Sequence, residues 1–131
     1  MMGSSVARMF AERINAHAVD EVVSLMTRDH VFIDSLGTRF TRPQIESGWQ
    51  EYFKKVPDYQ IKIDSEVANG DLTVLFGTAE GTYVSGDGVI KPGNRWTTPA
   101  AWRVVTRGGK VSEWRIYSDN EPIRSVMRAD R

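Results

Sequence analysis

The spacing of the apolar residues changes before the midpoint of this 131-residue chain, and that change limits the folds open to it. In the first part, apolar residues recur at intervals of three or four positions, as on one face of an amphipathic helix; they are Val6, Met9, Phe10 and Ile14. Further along, Tyr59 and Ile61 begin a strict alternation of apolar and polar residues, which is typical of a half-buried strand. Helices followed by strands predict an α+β domain in which the helices cover one face of a curved sheet.

Capping and turn residues divide the two parts into elements. Thr41 and Gln44 predict a capping box at the start of a helix, and Pro57 ends that helix. The Asn-Gly-Asp segment at 69–71 and the Gly-Gly pair at 108–109 predict tight hairpin turns. We therefore expect three N-terminal helices, the second extending over residues 19–26, around one short strand at 31–34. Four long antiparallel strands then follow, the last three near residues 72–83, 95–106 and 111–119.

The composition fits one globular domain over residues 1–131, with 40% hydrophobic and 26% charged residues. Seventeen Lys and Arg balance seventeen Asp and Glu, which argues against nucleic acid or an anionic membrane as the partner. Cysteine is absent and histidine occurs twice, so we expect no disulfide, no metal centre and no cofactor. No run of about eighteen apolar residues could cross a bilayer, and no signal-peptide core is visible, which predicts a cytoplasmic location.

The predicted hairpin at 108–109 sets which side chains share a face of the sheet. A two-residue turn with an unbroken ladder places Arg103 opposite Trp114 and Ala101 opposite Ile116, with Trp102 on the other face. Both faces then carry large apolar residues, although a sheet with one solvated face should not. One face can pack under the helices, and the other face predicts contact with a second copy of the chain, as a homodimer.

Asp34 is the first candidate for chemistry. It follows the apolar run 31–33 and precedes a Leu-Gly turn, in a place where a curved sheet and its helices leave a cavity. Desolvation there would make the carboxylate a useful base. The alternative is that Asp34 ends a strand, accepts hydrogen bonds from turn amides and faces water, which is common for Asp. Arg103 could stack on Trp114, pair with Asp34 or reach solvent.

The remaining polar candidates have structural interpretations. His17 lies at the break between two helices and is expected to be a solvated cap, and His30 follows Asp29 in a predicted turn. The segment 119–122 is expected to be a turn at the end of the last strand.

Three stretches carry a resemblance to a known family. Residues 14–20 (INAHAVD) and 26–34 resemble the opening of the nuclear transport factor 2-like superfamily, including its SnoaL-like members. Residues 109–117 (GKVSEWRIY) resemble the final hairpin strand of that superfamily. The resemblance implies a cone-shaped, strongly curved and mostly antiparallel sheet whose concave face is covered by three helices. It also implies an apolar pocket and a homodimer through the outer sheet face, but no single activity, because the fold hosts many.

The ketosteroid isomerases of this superfamily have an aspartate that matches Asp34. Their oxyanion hole needs a tyrosine where this chain has Phe10 and an acidic residue where it has Ala101. Neither replacement can donate a hydrogen bond to an enolate. The resemblance therefore does not predict steroid isomerisation by that route.

Two other branches give a similar result. The limonene epoxide hydrolases hold their substrates with one arginine and two aspartates, and the matching positions here are Gly77, Ala79 and Ile116. In the SnoaL-like cyclases a pocket histidine corresponds most closely to Tyr83, which leaves Asp34 as the main acid-base candidate.

The sequence therefore predicts a SnoaL-like homodimer that binds a small, largely apolar or aromatic molecule. If it is an enzyme, Asp34 would be the base in a cofactor-independent isomerisation or cyclisation, with Tyr83 or Arg103 polarising a ligand oxygen. The residues expected to shape the pocket are Phe10, Phe32, Trp49, Phe53, Ala101, Trp114 and Ile116. The alternatives are a non-catalytic ligand-binding or dimerisation module, and a partner-binding protein like the transport factor.

Overall fold

The computed structural model describes residues 2–129 of the chain and contains four α-helices and six β-strands. The helices are α1 (Met2–Asn15), α2 (Val19–Ser24), α3 (Arg42–Lys55) and α4 (Glu121–Ala129). The strands are β1 (Met26–Ile33), β2 (Arg39–Thr41), β3 (Gln60–Asn69), β4 (Leu72–Thr82), β5 (Arg95–Arg107) and β6 (Lys110–Ser118). The predicted α+β class is confirmed, with a fourth helix in addition to the three expected.

The six strands form one open sheet in the order β2-β1-β6-β5-β4-β3. Every neighbouring pair is antiparallel except β1 and β6, which run parallel and place Phe32 beside Trp114. The last strand therefore lies between the first strand and the long hairpins. This arrangement brings the N-terminal and C-terminal parts of the chain together at the centre of the sheet.

The first and third helices form for the reasons that the sequence indicates. On α1, which begins at Met2, Val6, Phe10 and Ile14 are buried on one face, whereas Met9 of the predicted stripe is exposed. At the start of α3, Gln44 Oε1 accepts a 2.8 Å hydrogen bond from the Thr41 amide, as expected of a capping box. The helix ends just before Pro57.

Two boundaries differ from the sequence prediction. The second helix ends at Ser24, and Met26, predicted to lie in it, begins β1, which is therefore longer than expected. The Val111 amide donates a 2.8 Å hydrogen bond to Leu25 O, so pairing with β6 draws this segment into the sheet. The segment predicted as a turn after β6 begins α4, which is held by packing of the partly buried Ile123 and Val126 on the core.

The hairpin between β5 and β6 has the predicted turn but not the predicted register. Gly108 and Gly109 have φ of 59° and 79°, which favours glycine, and they join the facing pair Arg107 and Lys110. Thr106 faces Val111, but Val105 faces Glu113, so the ladder contains one extra residue on β6. This bulge shifts every later pair by one position.

The shift corrects the predicted faces. Arg103 lies opposite Arg115 and Ala101 lies opposite Tyr117, all on the outer face of the sheet. Trp102 lies opposite Ile116 on the face that packs against the helices, where it is fully buried. The expected face-sharing of Arg103 with Trp114 and of Ala101 with Ile116 is therefore wrong.

A second bulge bends the other edge of the sheet. Ile63 faces Gly77 but Ser65 faces Phe76, so Asp64 is the extra residue on β3. The backbones approach so closely there that a Cβ on Gly77 would lie 1.7 Å from the Lys62 carbonyl oxygen. Bulges of this kind bend a strand. The bend here lies in β3, which packs against α1.

The core lies between the helices and the inner face of the sheet. The ring of Trp114 packs 4.8 Å from the ring of Phe10 on α1 and 6.4 Å from the ring of Trp102, measured between centroids. All three side chains are almost completely buried. They fill the part of the interior that is covered by α1, and the hollow described next lies towards α3.

Candidate functional site

A cavity of about 400 Å³ opens between α3, the β1–β2 turn and the end of β6. Apolar and aromatic side chains form most of its wall, and a few polar groups lie among them. Its lining residues are Phe32, Asp34, Ser35, Phe40, Gln44, Ile45, Gly48, Trp49, Tyr52, Tyr59, Ile116, Ser118 and Asn120. A concave apolar site with few polar groups is the usual form of a small-molecule site.

Asp34 lies at the wall of this cavity and also organises the turn beside it. Its Oδ1 accepts 2.9 Å hydrogen bonds from the amides of Leu36 and Thr38. Its own amide donates to Thr38 O at 3.0 Å, and the Gly37 amide donates to Asp34 O at 3.0 Å. Within residues 2–129, Oδ2 has no hydrogen-bond partner. The carboxylate therefore has one oxygen committed to the turn and one available for a ligand.

Aromatic rings on α3, on β1 and just before β3 form a continuous wall of the cavity, called here the aromatic wall. The Trp49 ring lies 6.2 Å from Phe32 in an edge-on arrangement and 5.8 Å from Tyr52. Tyr59 lies 5.2 Å from Tyr52, also edge-on, and 6.0 Å from Trp49. Such pairs stabilise each other beyond the area they bury, so this wall is preorganised.

A smaller chamber of about 60 Å³ adjoins the cavity on its inner side. It shares Tyr52, Tyr59, Ile116, Ser118 and Asn120 with the cavity. Its further lining residues are Ala79, Trp96, Thr98, Asp119 and Ile123. The last of these lies on α4, so the helix that the sequence analysis missed closes this end of the hollow.

The structure brings together four of the residues predicted for the site. Asp34, Phe32, Trp49 and Ile116 all line the cavity. They come from the end of β1, from α3 and from β6, elements that lie far apart in the sequence and meet through the parallel β1–β6 pair.

The other predicted pocket residues lie elsewhere. Phe10 and Trp114 are enclosed in the core beneath α1 and line neither hollow. Ala101 lies on the outer face because of the β6 bulge. Phe53 stacks on His17 with ring centroids 4.0 Å apart and on Trp49 with ring centroids 5.1 Å apart, and it lines neither hollow.

Neither predicted polariser reaches the cavity. Arg103 lies on the outer face, where it pairs with Glu113 and not with Asp34. Tyr83 follows β4, and its backbone is held by Asn94, whose carbonyl accepts from the Tyr83 amide at 3.0 Å. Tyr83 lines neither hollow.

His17 lies at the predicted break between two helices but is half-buried rather than solvated, and His30 lies in a strand rather than in a turn. His17 has φ of 56°, lies near Tyr59 O with Nε2 at 3.0 Å, and is covered by the Phe53 ring. His30 is a buried residue in the middle of β1 rather than in a turn. Its Nδ1 donates to Val111 O at 2.6 Å, while Nε2 is enclosed without a partner among the described residues. Burial lowers the pKa of His30, so its neutral form is favoured.

Several lining residues were missed by the sequence analysis. Gln44, Ile45 and Gly48 fall at helical spacing with Trp49 on α3, so the same periodicity could have identified them. Phe40 belongs to the short strand β2, which a three-residue pattern does not reveal. Ser118 and Asn120 depend on where β6 ends and α4 begins, and no local signal marks that point.

The described part of the chain offers no site for a metal ion, because no three histidine, aspartate or glutamate side chains group together there. None of its helices is long and apolar enough to cross a membrane.

Residues 6–114 match the family model of the SnoaL-like domain, which covers most of the chain. The chain belongs to the SnoaL-like family. A comparison with curated proteins finds no match.

Solved structures share the fold of this SnoaL-like chain at low sequence identity. A candidate SnoaL-like polyketide cyclase from Shewanella putrefaciens CN-32 has a TM-score of 0.83 at 16% identity, with 98% of each chain covered. IdmH from Streptomyces antibioticus, a candidate polyketide cyclase, has a TM-score of 0.81 at 21% identity, covering 98% of this chain and 99% of that one. AclR from Streptomyces galilaeus, a candidate hydroxylase, has a TM-score of 0.78 at 17% identity, with 96% of each chain covered.

Proposed function

We propose that this SnoaL-like protein binds a small, largely apolar molecule in the cavity and uses Asp34 as the base of a cofactor-independent proton transfer. The reaction class is an isomerisation or an aldol-type cyclisation, in which a proton leaves a carbon next to a carbonyl. One observation carries the proposal: a carboxylate with a free oxygen at the wall of a largely apolar cavity. A base is most effective when it is positioned and partly desolvated.

The fold neighbours support this reaction class. Two of them are candidate polyketide cyclases, and polyketides are rich in carbonyl groups that acidify neighbouring C–H bonds. The hydrogen bonds of the turn also fit the role, because they fix Oδ1 of Asp34 and so orient Oδ2. A fixed base loses less entropy on reaching the transition state.

The test uses 5-nitrobenzisoxazole, a compact aromatic probe that opens when a base removes its C–H proton. The proton passes to the carboxylate, the N–O bond breaks, and a coloured cyanophenolate is released. We expect the wild-type protein to accelerate this opening and Asp34→Asn to lower the rate about 100-fold, which is the lower end of a typical general-base contribution. The asparagine carbonyl can still accept from the Leu36 and Thr38 amides, so the turn is preserved.

Asp20→Asn is the matched control, because Asp20 is an exposed carboxylate on α2 outside the cavity. It should leave the rate unchanged. Equal rates for wild type and Asp34→Asn would refute the assignment of Asp34 as the base.

A second candidate function is a non-catalytic ligand-binding module of the same fold. The use of Asp34 Oδ1 as a turn acceptor favours it, since that role alone accounts for an aspartate at this position. The two functions differ in one measurement: a binding module retains its ligand and shows no rate above that of buffer with the proton-transfer probe.

We also propose that two copies of the chain associate through the outer face of the sheet. Val67 and Phe76 lie there with 63% and 41% of their surfaces exposed, and Val74 and Ala101 continue the apolar strip across β4 and β5. The ion pair of Arg103 with Glu113 lies beside this strip. An apolar patch bordered by charges is typical of a protein interface.

A further inference from the structure

The charged groups around the cavity are all of one sign. Among the described residues, Asp34 is the one carboxylate of its lining, and no Lys, Arg or His belongs to that lining. The lining of the adjoining chamber likewise includes Asp119 and no basic residue. Arg39 and Arg42, the basic residues nearest to the β1–β2 turn in the chain, line neither hollow, and Arg42 donates to Val23 O at 3.2 Å. The space inside is therefore bordered by negative charge with no cation of the described chain to balance it.

Asp34 itself lacks a counter-charge. It is half-buried, its Oδ1 accepts from two turn amides, and its Oδ2 has no partner among residues 2–129. The ion pairs of these residues all involve other acids. A carboxylate that is partly removed from water is stabilised by an opposite charge within about 4–6 Å. A ligand cation beside Oδ2 would supply that charge.

Aromatic rings border the same space and can stabilise a cation from other directions. Five of them line the cavity, namely Phe32, Phe40, Trp49, Tyr52 and Tyr59. The rings of Phe32 and Tyr52 stand at 82° and 80° to the ring of Trp49. The ring of Tyr59 stands at 84° to that of Tyr52. Rings at steep angles around one space resemble the aromatic cages that bind alkylammonium groups through the negative faces of the rings.

The size and the apolar lining of the cavity favour an organic cation over a metal ion. A metal ion that prefers oxygen needs several carboxylate or carbonyl ligands, and no three His, Asp or Glu side chains group together in the described part of the chain. Ile45 and Ile116 extend the apolar lining beyond the rings. The volume of about 400 Å³ is that of a small-molecule site. The carbon groups of an amine would bury against this lining.

We propose that the cavity binds an organic ammonium ion, a protonated or quaternary amine whose nitrogen lies between Asp34 Oδ2 and the aromatic wall. This inference rests on the proposed binding of a small, largely apolar molecule, and it adds a positive charge to that molecule. The oxygen that accepts a proton from a neutral substrate is then the counter-ion of a cationic ligand. Such a ligand occupies the site without being converted.

The experiment compares two probes of the same shape. 3-Hydroxyphenyltrimethylammonium has a quaternary nitrogen where 3-tert-butylphenol has a carbon atom. Binding of each probe to the full ¹⁵N-labelled chain is measured by amide chemical-shift titration, which also shows whether the shifted amides lie around the cavity. We expect the wild type to bind the cation about thirtyfold more tightly than the neutral probe. About tenfold comes from the half-buried carboxylate and about threefold from the rings.

Two variants separate these contributions. Asp34→Asn keeps the acceptor of the turn but removes the charge, so it should lower the affinity for the cation about tenfold and leave that for 3-tert-butylphenol within about twofold. Phe40→Leu keeps an apolar side chain without a ring, so it should lower the preference for the cation about threefold. Asp20→Asn is the matched control, because Asp20 is exposed on α2 and lines neither hollow. It should keep the full preference.

The outcomes separate this inference from the proposed function. Equal affinity of the wild type for the two probes, or tighter binding of 3-hydroxybenzoate than of the cation, overturns the ammonium site and leaves an apolar cavity. Shifts confined to amides away from both hollows, or a full preference in both Asp34→Asn and Phe40→Leu, also overturn it. Failure of both probes to bind overturns the ligand-binding proposal and this inference with it. Loss of the preference in Asp34→Asn at an unchanged rate of 5-nitrobenzisoxazole opening supports the ammonium site and refutes Asp34 as the base.

Discussion

His30 should make the stability of this fold depend on pH in a range where most side chains do not titrate. Its pKa is lowered chiefly by burial, and also by the nearby Arg42 cation, while the Val111 carbonyl and the carboxylates of Asp29 and Glu113 act in the opposite direction. Protonation would place a hydrogen on Nε2, where no acceptor lies among the described residues and the Phe10 ring stacks at 5.9 Å. The folded state therefore favours the neutral ring.

The sign and the size follow from linkage. In the unfolded chain His30 takes a proton near pH 6.5, whereas the folded chain resists it, so the unfolded state binds more protons below that pH. The free energy of unfolding therefore has its highest value above pH 6.5, and it falls as the pH drops towards the pKa of His30 in the folded chain. One titrating proton changes the free energy of unfolding by at most ~1.4 kcal/mol per pH unit. Because His30 in the unfolded chain is only partly protonated between pH 7.5 and 5.5, the upper limit for the change over that whole range is also about 1.4 kcal/mol.

Urea unfolding followed by tryptophan fluorescence at these two pH values measures the effect. His30→Gln keeps a side-chain donor for the Val111 carbonyl but cannot titrate, so its free energy of unfolding should lose most of this pH dependence. His17→Asn is the control, since Asn tolerates the left-handed backbone at that position, and it should retain the wild-type dependence. A wild type whose stability is unchanged at pH 5.5, or a His30→Gln variant that weakens as much as the wild type, would refute the reasoning.

Two further predictions concern the sheet. Gly77→Ala should reduce the free energy of unfolding by about 1–3 kcal/mol in urea melts, because the added Cβ overlaps the Lys62 carbonyl. Gly86 has open space around it, so Gly86→Ala should change the free energy of unfolding by no more than about 0.5 kcal/mol. Analytical ultracentrifugation should show a dimer for the wild type and a monomer for Phe76→Asp, with Val89→Asp in the exposed loop remaining dimeric; a monomeric wild type would contradict the interface proposal.

The parts of the fold that local patterns determine could be predicted. The stripe on α1, the capping box of α3 and both glycine-containing hairpin turns depend on neighbouring residues, and each was placed correctly. These features are confirmed because their causes lie within a few residues of chain. Asp34 also lies at the cavity wall, and its role there stays a prediction.

The parts of the fold that depend on long-range pairing could not be predicted from the sequence. One extra residue in β6 moved Ala101 and Arg103 to the outer face, and a bulge has no reliable sequence signal. The polar surroundings of His30 suggested a turn, but pairing of β1 with β6 made it a core residue. The tyrosines that line the smaller chamber have the spacing of core aromatics in the sequence, and the chamber is completed by Ile123 of the unpredicted helix α4.

The parallel contact between the first and last strands has a consequence for synthesis on the ribosome. Phe32 cannot contact Trp114 until some eighty further residues have been translated. The cavity therefore stays incomplete while the chain is being synthesised. Until residue 118 emerges, the edges of β1 and β5 that pair with β6 have no neighbour and are open to wrong pairing. Closure by such distant partners is slow compared with hairpin formation. We therefore expect nascent chains shorter than this to expose the unpaired edges of β1 and β5 to chaperones.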